Sequence, residues 1–99
     1  MKTVAIVGTH PKTRALAPYD DQNVDIWVMN QAPQGDWTKR WTACFQLHEE
    51  AVLQVNQYNS KHWEWLTQEH GAPIYMFEVN PSVPNSVRYP LDEVMEALP

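Results

Sequence analysis

Residues 4–30 read VAIVGTHPKTRALAPYDDQNVDIWVMN, and two apolar runs stand inside this stretch. The first, Thr3-Val4-Ala5-Ile6-Val7-Gly8, gives way to Thr9-His10, and the second, Asp25-Ile26-Trp27-Val28-Met29, to Asn30. Both are partly β-branched and show no polar alternation. That pattern predicts strands buried on both faces, as in a parallel sheet. Pro73-Ile74-Tyr75-Met76-Phe77 repeats it, and Val87-Arg88-Tyr89 is a fourth, shorter candidate.

The intervening segments carry helix signals. Asp36 is placed to cap a helix with Trp37, Trp41, Cys44, Phe45 and His48 on one face. A second helix is expected after Ser60, burying Trp63 and Leu66 and ending at Gly71 before Pro73. The stretch EEAVLQVNQYNS between them reads either as an extension of the first helix or as a loop. Thr13 to Ala17 predicts a helical turn stopped by Pro18, and the tail a final helix from Leu91 to Leu98. Strand, crossover, strand, helices, strand is the α/β pattern. The expected architecture is one domain over residues 1–99: a small Rossmann-like, three-to-four-stranded, mostly parallel sheet flanked by helices.

The chain has 99 residues, 43% of them hydrophobic, with a formal charge of -5. Such a composition excludes wholesale disorder. The negative charge argues against non-specific nucleic-acid binding. One cysteine, Cys44, allows no intramolecular disulfide, which fits a reducing cytoplasm. No apolar run approaches the roughly 20 residues of a membrane helix, and no signal peptide is read at the N-terminus. A short sheet with exposed edges and five Trp predicts a homo-oligomer.

Ligands of open parallel sheets bind beyond the carboxyl ends of the strands, near the point where strand order reverses. Here those ends are Gly8-Thr9-His10-Pro11, Asn30-Gln31-Ala32-Pro33 and Glu78-Val79-Asn80-Pro81. Gly8 would let a ligand approach the backbone; alternatively it only makes a tight turn. Thr9, His10 and the amides near Thr13 suit a small anion, with Arg14 the nearest cation. His48 reads either as a core ring or as a ligand contact. Cys44 and His48 lack a clear third partner, so neither a metal nor a cofactor is expected. Asp20, Asp21 and Asp25 suit a solvated loop, although Asp20 could also reach a ribose hydroxyl. Trp27, Trp37, Trp41, Tyr75 and Tyr89 would converge if the strands are parallel, and aromatic faces stack on nucleobases.

Several motifs together resemble a group of small Rossmann-like proteins encoded mostly by bacteriophages. They are Ala17-Pro18-Tyr19-Asp20, Trp27 with Asn30, Phe45-x-x-His48, and Ser86-Val87-Arg88-Tyr89-Pro90. More distantly the layout is similar to the SLOG and deoxyribosyltransferase-type nucleotide-handling folds. The resemblance implies a nucleotide-related ligand. The carboxylate motifs of the transferases are not identifiable in this chain.

The leading expectation is therefore a binding protein for a small nucleotide-derived ligand. Gly8, Thr9, His10, Thr13, Arg14 and Asn30 would meet its polar groups, with Trp41, Phe45 or Tyr89 against the base and His48 at the rim. The viral resemblance implies sequestration of a host immune signal, as a counter-defence. The alternatives are a nucleotide- or nucleoside-cleaving enzyme using His48 or Asp20, and a protein-interaction module built on exposed aromatics.

Overall fold

The computed structural model describes residues 2–48 and 60–99. The stretch at residues 49–59, left open between helix and loop, lies outside the described residues. Among these residues, strand β2 (Val24–Met29) shows most plainly how the sheet is built. Val24, Ile26 and Val28 are buried, while Asp25, Trp27 and Met29 point to a less covered face. β1 (Thr3–Ile6) and β3 (Ala43–Phe45) pair with β2 in parallel, and β4 (Ile74–Met76) and β5 (Ser86–Arg88) continue beyond β3.

The five described strands lie in the order β1-β2-β3-β4-β5, all parallel. The α/β class stands, but there is one strand more than the sequence suggested. Nor does the order reverse among the described strands, which therefore offer no switch point at which a ligand would be placed. One face of the sheet carries the buried core. Ile26, Val28, Cys44, Ile74 and Met76 are buried on that face, with Leu66 and Val83 in the same cluster.

The opposite face has no such cover among the described residues. Ile6 is 65% exposed, and Val4, Met29 and Val87 are also exposed. The first two strands were expected to be buried on both sides. β1 instead lies at an edge, and only one side of β2 is sealed.

The expected helix after Asp36 is absent; its centre is β3. Cys44 faces the core, and Phe45 stacks on Tyr75 on the opposite face. Helical spacing was only a local preference, and β3 pairs on both sides. Its amides and carbonyls reach both neighbours: Cys44 N donates to Pro73 O (3.0 Å), and Asn30 N donates to Phe45 O (3.0 Å). The Thr42 hydroxyl adds a splice to β2, accepting from Ile26 N and donating to Ile26 O. Sheet pairing of this kind overrides propensity.

Two α-helices are described, α1 (Ser60–Leu66) and α2 (Leu91–Ala97). α1 buries Leu66 and half-buries Trp63, and Gly71 beyond it takes a positive φ of 71°, which a glycine adopts without a Cβ clash. The turn before Pro18 is a single 3-10 turn, Arg14–Leu16. Among the described residues, no helix is long and apolar enough to cross a membrane.

Candidate functional site

The carboxyl ends of β1, β2 and β3 frame a cavity of about 410 Å3. Its walls are Thr9 and Arg14 after β1, Asn30, Gln31, Ala32 and Trp37 after β2, Gln46 and His48 after β3, and His62 on α1. None of these nine carries a carboxylate.

Arg14 is held from two sides. The Tyr19 hydroxyl donates to Arg14 O at 2.8 Å, which fixes the 3-10 turn beneath it. The guanidinium lies over the Trp37 ring, 4.8 Å from its centroid. Such stacking orients the cation without neutralising it. Arg14 belongs to neither of the salt bridges seen among the described residues, Lys2–Asp25 and Arg88–Glu93. Trp37 in turn depends on Gly35, where a Cβ would sit 2.5 Å from the indole Nε1.

Asn30 has a φ of 55°, a left-handed conformation that few residues other than glycine adopt readily. Its carbonyl lies 3.7 Å from the Cys44 sulfur, and its N–H is committed to β3. Burial pushes the Cys44 thiol up to about 12, so it is a core group rather than a nucleophile.

Behind the cavity runs a chain of close polar contacts. Gln34 Oε1 lies 2.6 Å from His62 Nδ1, and His62 Nε2 lies 2.6 Å from Gln46 Oε1. Gln46 Nε2 lies 2.6 Å from His48 Nδ1. His62 is 2% exposed. Burial, helped by nearby His48, pushes its pKa down to about 4, so the ring is neutral at pH 7.

A second cavity of about 680 Å3 opens on the opposite face of the sheet. Ile6, Trp27, Met29, Phe45, Leu47, Tyr75, Tyr89 and Pro90 line it, together with Asn30 and His48. Phe45 is at its centre, 5.0 Å from Tyr75 and 5.2 Å from Trp27 between ring centroids. Asn30 and His48 therefore belong to both cavities and mark the rim between the two faces.

The structure brings Thr9, Arg14, Asn30 and His48 together, and sets Phe45 and Tyr89 across that rim. Gly8 and Thr13 line a separate hollow beside β1, and a Cβ at Gly8 would meet nothing within 4 Å. His10 stays in its loop, where Nδ1 accepts from Lys12 N. Trp41 stands before β3, at the other end of the sheet, against Trp65 and His70. Asn80 lines a third hollow that touches the others through His48. With no helix at residues 44–48, the i, i+4 pairing of Cys44 with His48 is gone.

Gln34, Gln46 and His62 were not singled out from the sequence. His62 had a readable signal: it precedes Leu66 by four residues, the spacing of one helix face. Gln46 had none until β3 was known to be a strand. Comparison of the chain with protein-family models, with curated proteins and with solved structures finds no match.

Proposed function

We propose that the protein binds a small nucleotide-derived ligand at the strand ends, its phosphate beside Arg14 and its base in the aromatic cleft. One observation carries this reading: two cavities of opposite character meet at Asn30 and His48. One holds a cation and amide and imidazole groups with no carboxylate; the other offers Trp27, Phe45, Tyr75 and Tyr89. A phosphate suits the first by charge, and a planar base suits the second by stacking. The Rossmann-like character and the viral resemblance read from the sequence point to sequestration of a signal nucleotide in a cytoplasm. Cleavage has less support, because neither cavity is lined by Asp or Glu and Asp20 lies in neither.

The reading extends to a homo-oligomer. Support comes from the exposed apolar residues Leu91 and Met95 on α2 and Leu98 just beyond it, and from β1 at the edge of the described strands. Sedimentation velocity at micromolar concentration checks this part, and a monomer there refutes it.

The test of binding is to purify the protein from cells, heat-denature it, and identify the released small molecules by mass spectrometry. An intact nucleotide-like compound in stoichiometric amount supports the proposal. Released free base would favour the enzyme instead. If nothing is released and none of the four nucleoside monophosphates shifts the melting temperature, the proposal fails.

A further inference from the structure

We infer that His62, acting through Gln46, holds His48 in the tautomer with its proton on Nε2, so that His48 meets a ligand as a hydrogen-bond donor. The inference starts from donor counting. A neutral imidazole has one N–H, yet as placed both ring nitrogens of His62 face glutamine oxygens, Gln34 Oε1 and Gln46 Oε1. One of these two amides is therefore turned, since oxygen and nitrogen of an amide are assigned from the hydrogen-bond network.

Gln34 is exposed, so turning its amide places the freed oxygen in water. Gln46 is 1% exposed, and turning it would reverse both of its contacts at once, the buried one to His62 and the half-buried one to His48. With Gln46 kept as it lies, the chain runs in one direction. The Gln34 amide donates to His62 Nδ1, and His62 Nε2–H donates to Gln46 Oε1. The Gln46 amide donates to His48 Nδ1. That contact occupies the lone pair of Nδ1, so the proton of His48 sits on Nε2, the nitrogen left for the cavities.

An N–H donor beside Arg14 suits an acceptor oxygen, as on a phosphate, and suits proton abstraction poorly. This last step rests on the proposed ligand; the tautomer itself does not. His62 touches no ligand in this scheme. It is a positioning residue.

The experiment is long-range 1H–15N NMR of the imidazoles in the full chain at neutral pH, without ligand. The expected result is a single Nε2–H form for His48. His62→Gln keeps an amide donor for Gln46 and should preserve that form, whereas His62→Phe should release it to a tautomer mixture. Gln46→Glu places a carboxylate oxygen against Nδ1 and should move a proton there. AMP serves as the binding probe, and its affinity should drop about tenfold in His62→Phe, the loss of one neutral hydrogen bond. An Nδ1–H form or a mixture in the wild type overturns the inference, even if His62→Phe does not fold. A wild-type Nε2–H form unchanged in Gln46→Glu also overturns it. An Nε2–H form that responds as described, with no AMP binding, upholds the tautomer and refutes only the ligand reading.

Discussion

At the scale of single residues, the polar cavity depends on small steric facts. Gly35 is one. Its missing Cβ leaves room for the Trp37 indole, and Trp37 carries the Arg14 guanidinium. Gly35→Ala should push the indole aside at a cost of about 1–2 kcal/mol, as overpacking generally does. Thermal denaturation checks the stability, and the Trp37 side-chain resonances show the displacement. Arg14 itself adds little to the fold, because its side-chain contacts are a ring and a long 3.4 Å approach to Thr9 O. Arg14→Ala should leave the melting temperature within a few degrees of wild type. It should weaken binding of a nucleoside monophosphate tenfold or more, the scale of a hydrogen bond to a charged group, about 1.5–3 kcal/mol. Calorimetric titration reads the second effect. A large loss of stability would make Arg14 structural instead.

At the scale of elements, the connection from β1 to β2 has no long helix to hold its shape. Arg40, in the approach to β3, does so from outside. Its guanidinium donates to three carbonyls, Tyr19 O (3.0 Å), Asp21 O (2.7 Å) and Val24 O (2.7 Å). Tyr19 passes the constraint on through its hydroxyl to Arg14 O. Arg40→Ala should cost about 2 kcal/mol and lower the melting temperature by roughly 10 °C. Arg40→Lys should recover little of this, since one ammonium cannot span three carbonyls as a fork does. Chemical denaturation of the three proteins checks both statements. β3 shows the same dependence on neighbours. Its three residues have no local signal that outweighs helical spacing, and they are a strand because β2 and β4 pair with them.

At the scale of the whole molecule, the buried His62 makes stability depend on pH. In the unfolded chain an imidazole takes its proton near pH 6.5; in the fold His62 does so only near 4. Between those values the unfolded state binds more protons, so stability falls as the pH drops from 6.5 and levels off near 4. The loss amounts to at most about 3 kcal/mol. The charged or titratable neighbours are Arg14 and His48 around the polar cavity, with Tyr75, Tyr89 and Glu78 further along through the hollows His48 shares. Denaturation midpoints measured from pH 7 to 4 should show this slope, and His62→Gln should flatten it. The carboxyl of Glu69 is held below the ordinary range mainly by the Asn85 amide, so its contribution is lost only under more acid conditions.

The sequence by itself determined the α/β class, the strands at β1, β2 and β4, and the polar character of the loops after them. Those features are local: apolar runs make strands, Thr9 and Asn30 follow close on the first two, and Arg14 opens the turn after the first. Only the tertiary structure decided that β3 is a strand, that the described strands lie in sequence order, and that one face of the sheet has no cover among the described residues. It alone separated Trp41 from Phe45 and Tyr89, and joined Gln34, His62, Gln46 and His48 into one chain. The physical reason is range. Hydrophobic pattern acts over a few residues, whereas strand pairing and hydrogen bonds 16 to 28 residues apart in sequence exist only once the chain has closed on itself.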